Sequence, residues 1–406
     1  MRENTAAVAS SSESSETSEP WFERIEETLR EEGAGAALDR LASVLDAQGN
    51  FRALLDALLL KARFDLDMPL VPTGSLADLP EPLRSRFEER YVEAIRRVGR
   101  RYLDIGDIPT AWAYYRVLGE LEPVAEAIAG FTPGENDERL GQIIEVAFNH
   151  GASPRRGFEL ILEHYGTCPA ISAFEQLPPN DAGLRAYCAE RLIGRLHRDL
   201  VANLRSEIAA RGQLVPPEGT SIPALLNGRE WLFGDEAYHV DTSHLSAVVR
   251  FSALVTDPRF QTLAVDLCEY GKRLSPRLQF EGAAPFQNVF EDHRVYLNAL
   301  LGHDVEAAVA HFRAKLDDDS EGLGSDPTLP AQVFVNLLVQ LERFDDAIDV
   351  AAEHFAGRPD STLSCPSAAA LCLRAGKPER LAQIARDQDN LVDFTAALLA
   401  GEKRER

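Results

Sequence analysis

The stretch RSRFEERYVEAIRRVGRRYLDIGDIPTAWAYYRVLGELEP, residues 84–123, decides the fold. Phe87, Tyr91, Ile95, Val98 and Tyr102 fall on an arc of about 80° when plotted at about 100° per residue, one buried stripe on one long helix. Gly106 ends that helix. A second helix begins around Pro109, presents Ala111, Tyr115 and Leu118 on one face, and is expected to stop at Pro123, since proline cannot continue a helix. The segment reads as an αα-hairpin.

The same period runs outward in both directions. Phe22, Ile25 and Leu29 follow steps of three and four, then Leu38, Leu41 and Leu45, with Gly33, Gly35 and Gly49 as punctuation. Strand signals are nearly absent: the Asn227-Gly228 pair has no alternating strands beside it. A chain of 406 residues with 45% hydrophobic and 26% charged residues can build a core, but one all-α core of that size would be unusually large. Stacked helix pairs, an all-α solenoid, explain the pattern best.

With Val92 as the first residue of a unit, Gly99, Tyr102, Gly106, Ala111, Tyr115 and Pro123 occupy positions that resemble those of the tetratricopeptide repeat, a unit of about 34 residues. Ile95 and Leu118 depart from that pattern, standing where the family often has Trp and Ala. A small residue at Ala111 lets one helix approach its partner while Tyr102 and Tyr115 fill the space beside it. A second, looser match begins at Thr328 with Phe344, Ala347 and Pro359, and the next unit, beginning at Thr362, places Gly376 at its turn. Val295–Phe312, around Gly302 and Ala308, and Ile143–Leu162, around Gly151, are weaker members. The resemblance implies a right-handed superhelix of antiparallel hairpins. It also implies a non-catalytic scaffold or adaptor that binds a peptide or helix of another protein in its concave groove.

Arg96 and Arg100 lie four residues apart on the first helix of the best unit, where the resemblance implies a groove-facing basic pair. Guanidinium forks there suit a peptide carboxylate. The alternative is ordinary solvation or ion pairing, because Arg86, Arg90, Arg97 and Arg101 crowd the same helix with Glu88, Glu89 and Glu93.

Composition limits the partners. Asp and Glu number 65 against 42 Lys and Arg, a formal charge of −23 that repels nucleic-acid backbones and anionic membranes. No apolar run reaches the roughly 20 residues needed to span a bilayer, and Met1–Ser18 lacks the apolar core of a secretory signal, so the cytoplasm is expected. Cys168, Cys188, Cys268, Cys365 and Cys372 are widely spaced without a CxxC pair and read as buried small apolar residues.

Four regions are expected: a disordered Ser/Glu-rich arm at 1–19, an N-terminal helical array at 20–211, an ordered Pro- and aromatic-containing insertion at 212–240, and a C-terminal array at 241–402. His239, Asp241 and His244, beside that insertion, form the sharpest constellation. Two imidazoles and a carboxylate suit Zn²⁺ or Fe²⁺, and Glu291, Asp292 and His293 supply a further ligand if their helix packs alongside. On that reading the chain is a helical metalloenzyme, such as a hydrolase, with Trp231 and Phe233 as a lid. The competing reading makes Asp241 an N-cap and the histidines hydrogen-bonding residues. A third reading is a structural module whose exposed apolar ends mate with copies of itself. Nucleotide-binding, hydrolase-elbow and kinase motifs are absent from the sequence, Cys268 reads as core, and Asp317–Glu321 as a solvated linker.

Overall fold

The computed structural model describes residues 21–71, 74–135, 137–317 and 326–404. The expected arm at 1–19 lies outside them, as does most of the acidic linker at 317–321. Among the described residues the fold is all-α, with helices packed in neighbouring pairs and no strands beyond one isolated bridge between Glu281 and Asn288. None of the described helices is long and apolar enough to cross a membrane. The chain forms two compact units, one ending at Gly157 and one beginning at Phe158; residues 212–240 belong to the second.

The first unit holds α1 (Trp21–Glu31), α2 (Ala34–Ala47), α3 (Phe51–Asp65), α4 (Leu83–Asp104), α5 (Ile108–Leu118), α6 (Glu122–Gly130) and α7 (Leu140–Ile144), which runs into a π-helical turn at Glu145–Asn149. From α1 to α6 each helix packs on the next. Asn50 caps α3 through the Ala53 amide, and Asp107 caps α5 through the Thr110 amide. Phe87, Ile95 and Val98 are buried as the stripe requires, and Tyr102 packs against the cluster of Phe51, Leu54 and Val98. Gly99 is needed for the hairpin to close: a Cβ there would lie 2.9 Å from the Tyr115 ring.

Two expectations change here. Gly119, in the left-handed conformation, ends α5, while Pro123 opens α6, where a missing N–H costs nothing. In α1 the side that packs inward is marked by Thr28, whose hydroxyl bonds to the Arg24 carbonyl at 2.7 Å, and Phe22 and Leu29 face outward. The periodicity gave the helix but not the side that is covered.

Helix α8 (Pro154–His164) carries the division between the units. The second unit continues with α9 (Thr167–Glu175), α10 (Ala182–Ala210), α11 (Ile222–Leu226), α12 (Thr242–Phe251), α13 (Pro258–Gly271), α14 (Val289–Leu300), α15 (Val305–Ala314), α16 (Leu329–Gln340), α17 (Phe344–His354), α18 (Ala368–Arg374), α19 (Pro378–Asp387) and α20 (Leu391–Arg404). It has two parts. In the first, Leu184, Cys188, Leu192, Leu196, Leu200, Leu204 and Ile208 of α10 are buried at steps of four. Each such step drifts about 40° around a helix, so the stripe winds about 240° along α10. The helix is therefore touched in turn by α9, α11, α12 and α13. In the second part, α14 to α20 pack mainly on sequence neighbours around one continuous apolar cluster from Tyr296 and Phe312 through Phe334 and Ile348 to Leu381 and Ala397.

Residues 212–240 are ordered, but aliphatic side chains anchor them. Ile222, Leu225, Leu226 and Leu232 are buried; Trp231 lies under the Arg211 guanidinium at 4.6 Å, and Tyr238 is exposed. The cysteines are all free thiols; Cys188, Cys268 and Cys372 are buried as expected, whereas Cys168 is exposed.

Candidate interaction groove and charged clusters

Arg96 and Arg100 project from α4 already paired within their own hairpin. Arg96 grips Glu120 with two nitrogens, Nε at 2.9 and 3.0 Å and Nη2 at 2.5 Å, and Arg100 donates to Asp104 at 3.1 Å. The guanidinium beside it holds the Glu120 carboxyl below the usual carboxylate range. Their neighbours are paired too: Arg97 and Arg101 both reach Asp46, at 3.3 and 2.6 Å. These four arginines pair with Glu120 just after α5, Asp104 at the end of α4 and Asp46 at the end of α2, while Glu88 is approached by Arg84 at 3.9 Å.

A groove of about 320 Å³ does cross α2, α3 and α4, but neither arginine of the expected pair lines it. Adjacent helical residues point about 100° apart, so Arg97 and Arg90 enter the groove with Glu93 and Ala94 while Arg96 turns away. Leu58, Ala62 and Ala94 supply apolar surface, and the ionic lining comprises Asp39, Asp65 and Glu93 against Lys61, Arg90 and Arg97. Lys61 bonds to Asp39 across α2 and α3, and Arg90 bonds to Glu93 at 3.1 Å. The lining is charge-balanced in a strongly acidic chain.

Asp241 and His239 have separate tasks, and His244 takes part through its backbone amide. Asp241 is the N-cap of α12: its Oδ1 accepts the amides of Ser243 and His244 at 2.9 and 3.0 Å, and the hydrogen bond from the Ser243 hydroxyl leads the causes lowering its pKa. His239 faces Tyr270 of α13. Its backbone N–H donates to the buried phenol at 2.8 Å, and Nδ1 lies 3.1 Å from the same oxygen. Burial lowers the His239 pKa and pushes Tyr270 up to about 12, so a neutral imidazole accepting the phenol proton satisfies both groups. The carbonyl of His239 takes a further bond from Asn203 at 2.6 Å. Phe233 lies 5.4 Å from the Tyr270 ring and helps hold the segment to α13. Among the described residues no group of three or more His, Cys, Asp and Glu stands ready to hold a metal ion.

The most enclosed charged cluster centres on Asp292, which the sequence suggested only as a distant ligand. Asp292 is 1% exposed. It accepts His311 at 2.8 Å, Lys315 at 2.8 Å and the Asn288 amide at 2.9 Å, tying α14 to α15 and the turn beyond it. Beside it, His293 lies 4.0 Å from the Phe286 ring and bonds through Nδ1 to the Val289 carbonyl at 2.7 Å, while burial pushes its pKa down to about 4. Glu291 turns instead to Arg294 and Lys272. The i, i+4 spacing of His311 and Lys315 was the available signal, but only folding shows that both face one carboxylate.

Comparison with protein families, with curated proteins and with solved structures gives no significant match for this chain.

Proposed function

We propose that the chain is a non-catalytic helical-repeat scaffold that binds a peptide or helix of another protein in the groove across α2, α3 and α4. The observation that carries this reading is the groove itself, about 320 Å³, with Leu58, Ala62 and Ala94 between acidic and basic side chains. Such a surface suits a segment with small apolar residues and charges of both signs, since each charge it brings meets an opposite one. The residues that suggested chemistry support a binding role over a catalytic one. Asp241 caps a helix, His239 secures a loop, and Asp292 joins two helices. A cytoplasmic setting belongs to this reading and fits five cysteines kept as thiols.

Arg90→Glu with Arg97→Glu tests it, since both side chains are about half exposed and an unchanged melting temperature separates lost binding from a disturbed fold. A partner recovered with the wild-type chain, then titrated as purified protein, is expected to lose about tenfold or more in affinity while the melting temperature holds. Equal affinity for both proteins would remove the groove from the interaction.

A further inference from the structure

A second charged cleft, of about 270 Å³, lies within the second unit between α8 and the middle of α10. The two helices bring different charges to it. Helix α8 contributes Glu159 and Glu163, one turn apart, whereas α10 contributes Arg191, Arg195 and Arg198 together with Glu190. At about 100° per residue the three arginines fall on an arc of about 60°, so they share one face of α10. Leu162, Gly194 and Phe260 supply apolar surface, and a Cβ on Gly194 would lie 3.3 Å from the Phe260 ring. These arginines are not neutralised as those of α4 are. Among the described residues Arg191 and Arg198 form no ion pair; only Arg195 does, with Asp199 at 2.8 Å. The Arg191 guanidinium lies over the Tyr187 and Phe260 rings at 5.0 and 5.5 Å, and its buried Nε has no acceptor among the described residues. Aromatic contact thus positions this cation without a counter-charge, an arrangement that an incoming anion completes. The groove across α2, α3 and α4 differs, because there Lys61 is bonded to Asp39 and Arg90 to Glu93.

We infer that this cleft binds a small zwitterion of the ω-amino-acid class, its carboxylate on the α10 arginines and its ammonium group toward the α8 glutamates. The charge of the lining selects the ligand. Three arginines and three glutamates surround the cleft, so a plain anion meets three carboxylates and a plain cation meets three guanidinium groups. A ligand with one charge of each sign meets an opposite charge at both ends. An aliphatic stem between its charges covers Leu162 and Phe260, as a lysine stem covers apolar surface while its head stays polar. The volume suits a small metabolite, being below the roughly 300–1,000 Å³ of pockets that enclose drug-sized ligands. The cleft belongs to the second unit, whereas α2, α3 and α4 belong to the first, so the inference does not depend on the proposed groove.

Calorimetric titration of the full chain with 6-aminohexanoate, hexanoate and hexylamine tests the inference. The first is expected to bind saturably, about tenfold or more tighter than either single-charge probe. Arg198→Gln removes an exposed side chain that holds no ion pair, and it is expected to weaken 6-aminohexanoate and hexanoate about tenfold at an unchanged melting temperature. Glu163→Gln is expected to weaken 6-aminohexanoate and hexylamine severalfold and to leave hexanoate no weaker. Hexanoate binding as tightly as 6-aminohexanoate would reduce the cleft to an anion site and overturn the zwitterion. No saturable binding of 6-aminohexanoate, or the same affinity after Arg198→Gln with Arg191→Gln, would overturn the site itself.

Discussion

The arginine-rich face of α4 and the Asp292 cluster between α14 and α15 use the same chemistry in opposite surroundings. On α4, long side chains pair with Glu120, Asp104 and Asp46 at the surface, where water competes for both partners and salt screens them. Asp292 is shut away from water and accepts three hydrogen bonds, so removing the carboxylate takes the counter-charge from Lys315, which keeps only the neutral Gln287 amide oxygen at 2.8 Å, and from His311. The density of charge in a sequence is thus a poor guide to where charge matters. One enclosed carboxylate outweighs a row of exposed guanidinium groups.

The largest effect should come from Asp292→Ala, expected to cost about 3 kcal/mol in urea unfolding because it takes the carboxylate away from a largely enclosed ammonium group. A loss below about 1 kcal/mol would erase the contrast between the two clusters. The neighbouring histidine sharpens it through pH. Above about pH 6.5 His293 is neutral folded or unfolded and contributes no pH dependence. Between there and its folded value of about 4 only the unfolded chain takes up the proton, so stability falls as pH drops, by up to about 3 kcal/mol. Asp292 beside it and Arg250 on α12 face the ring through this window. Glu291, held down to about 2 chiefly by Arg294, acts below it and loses its contribution from about pH 4.5 downward. His293→Gln should flatten the measured stability curve between pH 7 and 4; an unchanged slope would assign it to other groups. The smallest effect is expected at α4, where Arg96→Ala should leave the melting temperature within experimental error. A clear drop would mean that its hold on Glu120 stabilises the hairpin more than an exposed pair does.

Much of the hairpin architecture was legible because local rules and packing agree. Gly99 and Tyr115 sit where close helix approach requires them, and the turn glycines Gly106 and Gly376 adopt positive φ. The α10 cluster was not, since a stripe at steps of four names a buried helix but not the several partners around it. At the candidate site, Asp241 as an N-cap could be read from the residues that follow it. The α4 face that enters the groove could not, because a helix with arginines on several sides carries no mark of which one its neighbours leave open. The Asp292 cluster joins residues 19 and 23 positions apart, a distance that only the α14–α15 turn closes.

The winding of the α10 stripe also separates two ways of coming apart. Helices α14 to α20 lean mostly on sequence neighbours, so hairpins can peel from that array one at a time. Around α10 each neighbour covers a different sector of the same helix, and losing one uncovers a surface that the others cannot reseal. That part of the chain should melt as a block, with its slowest-exchanging amides along α10, while the array frays.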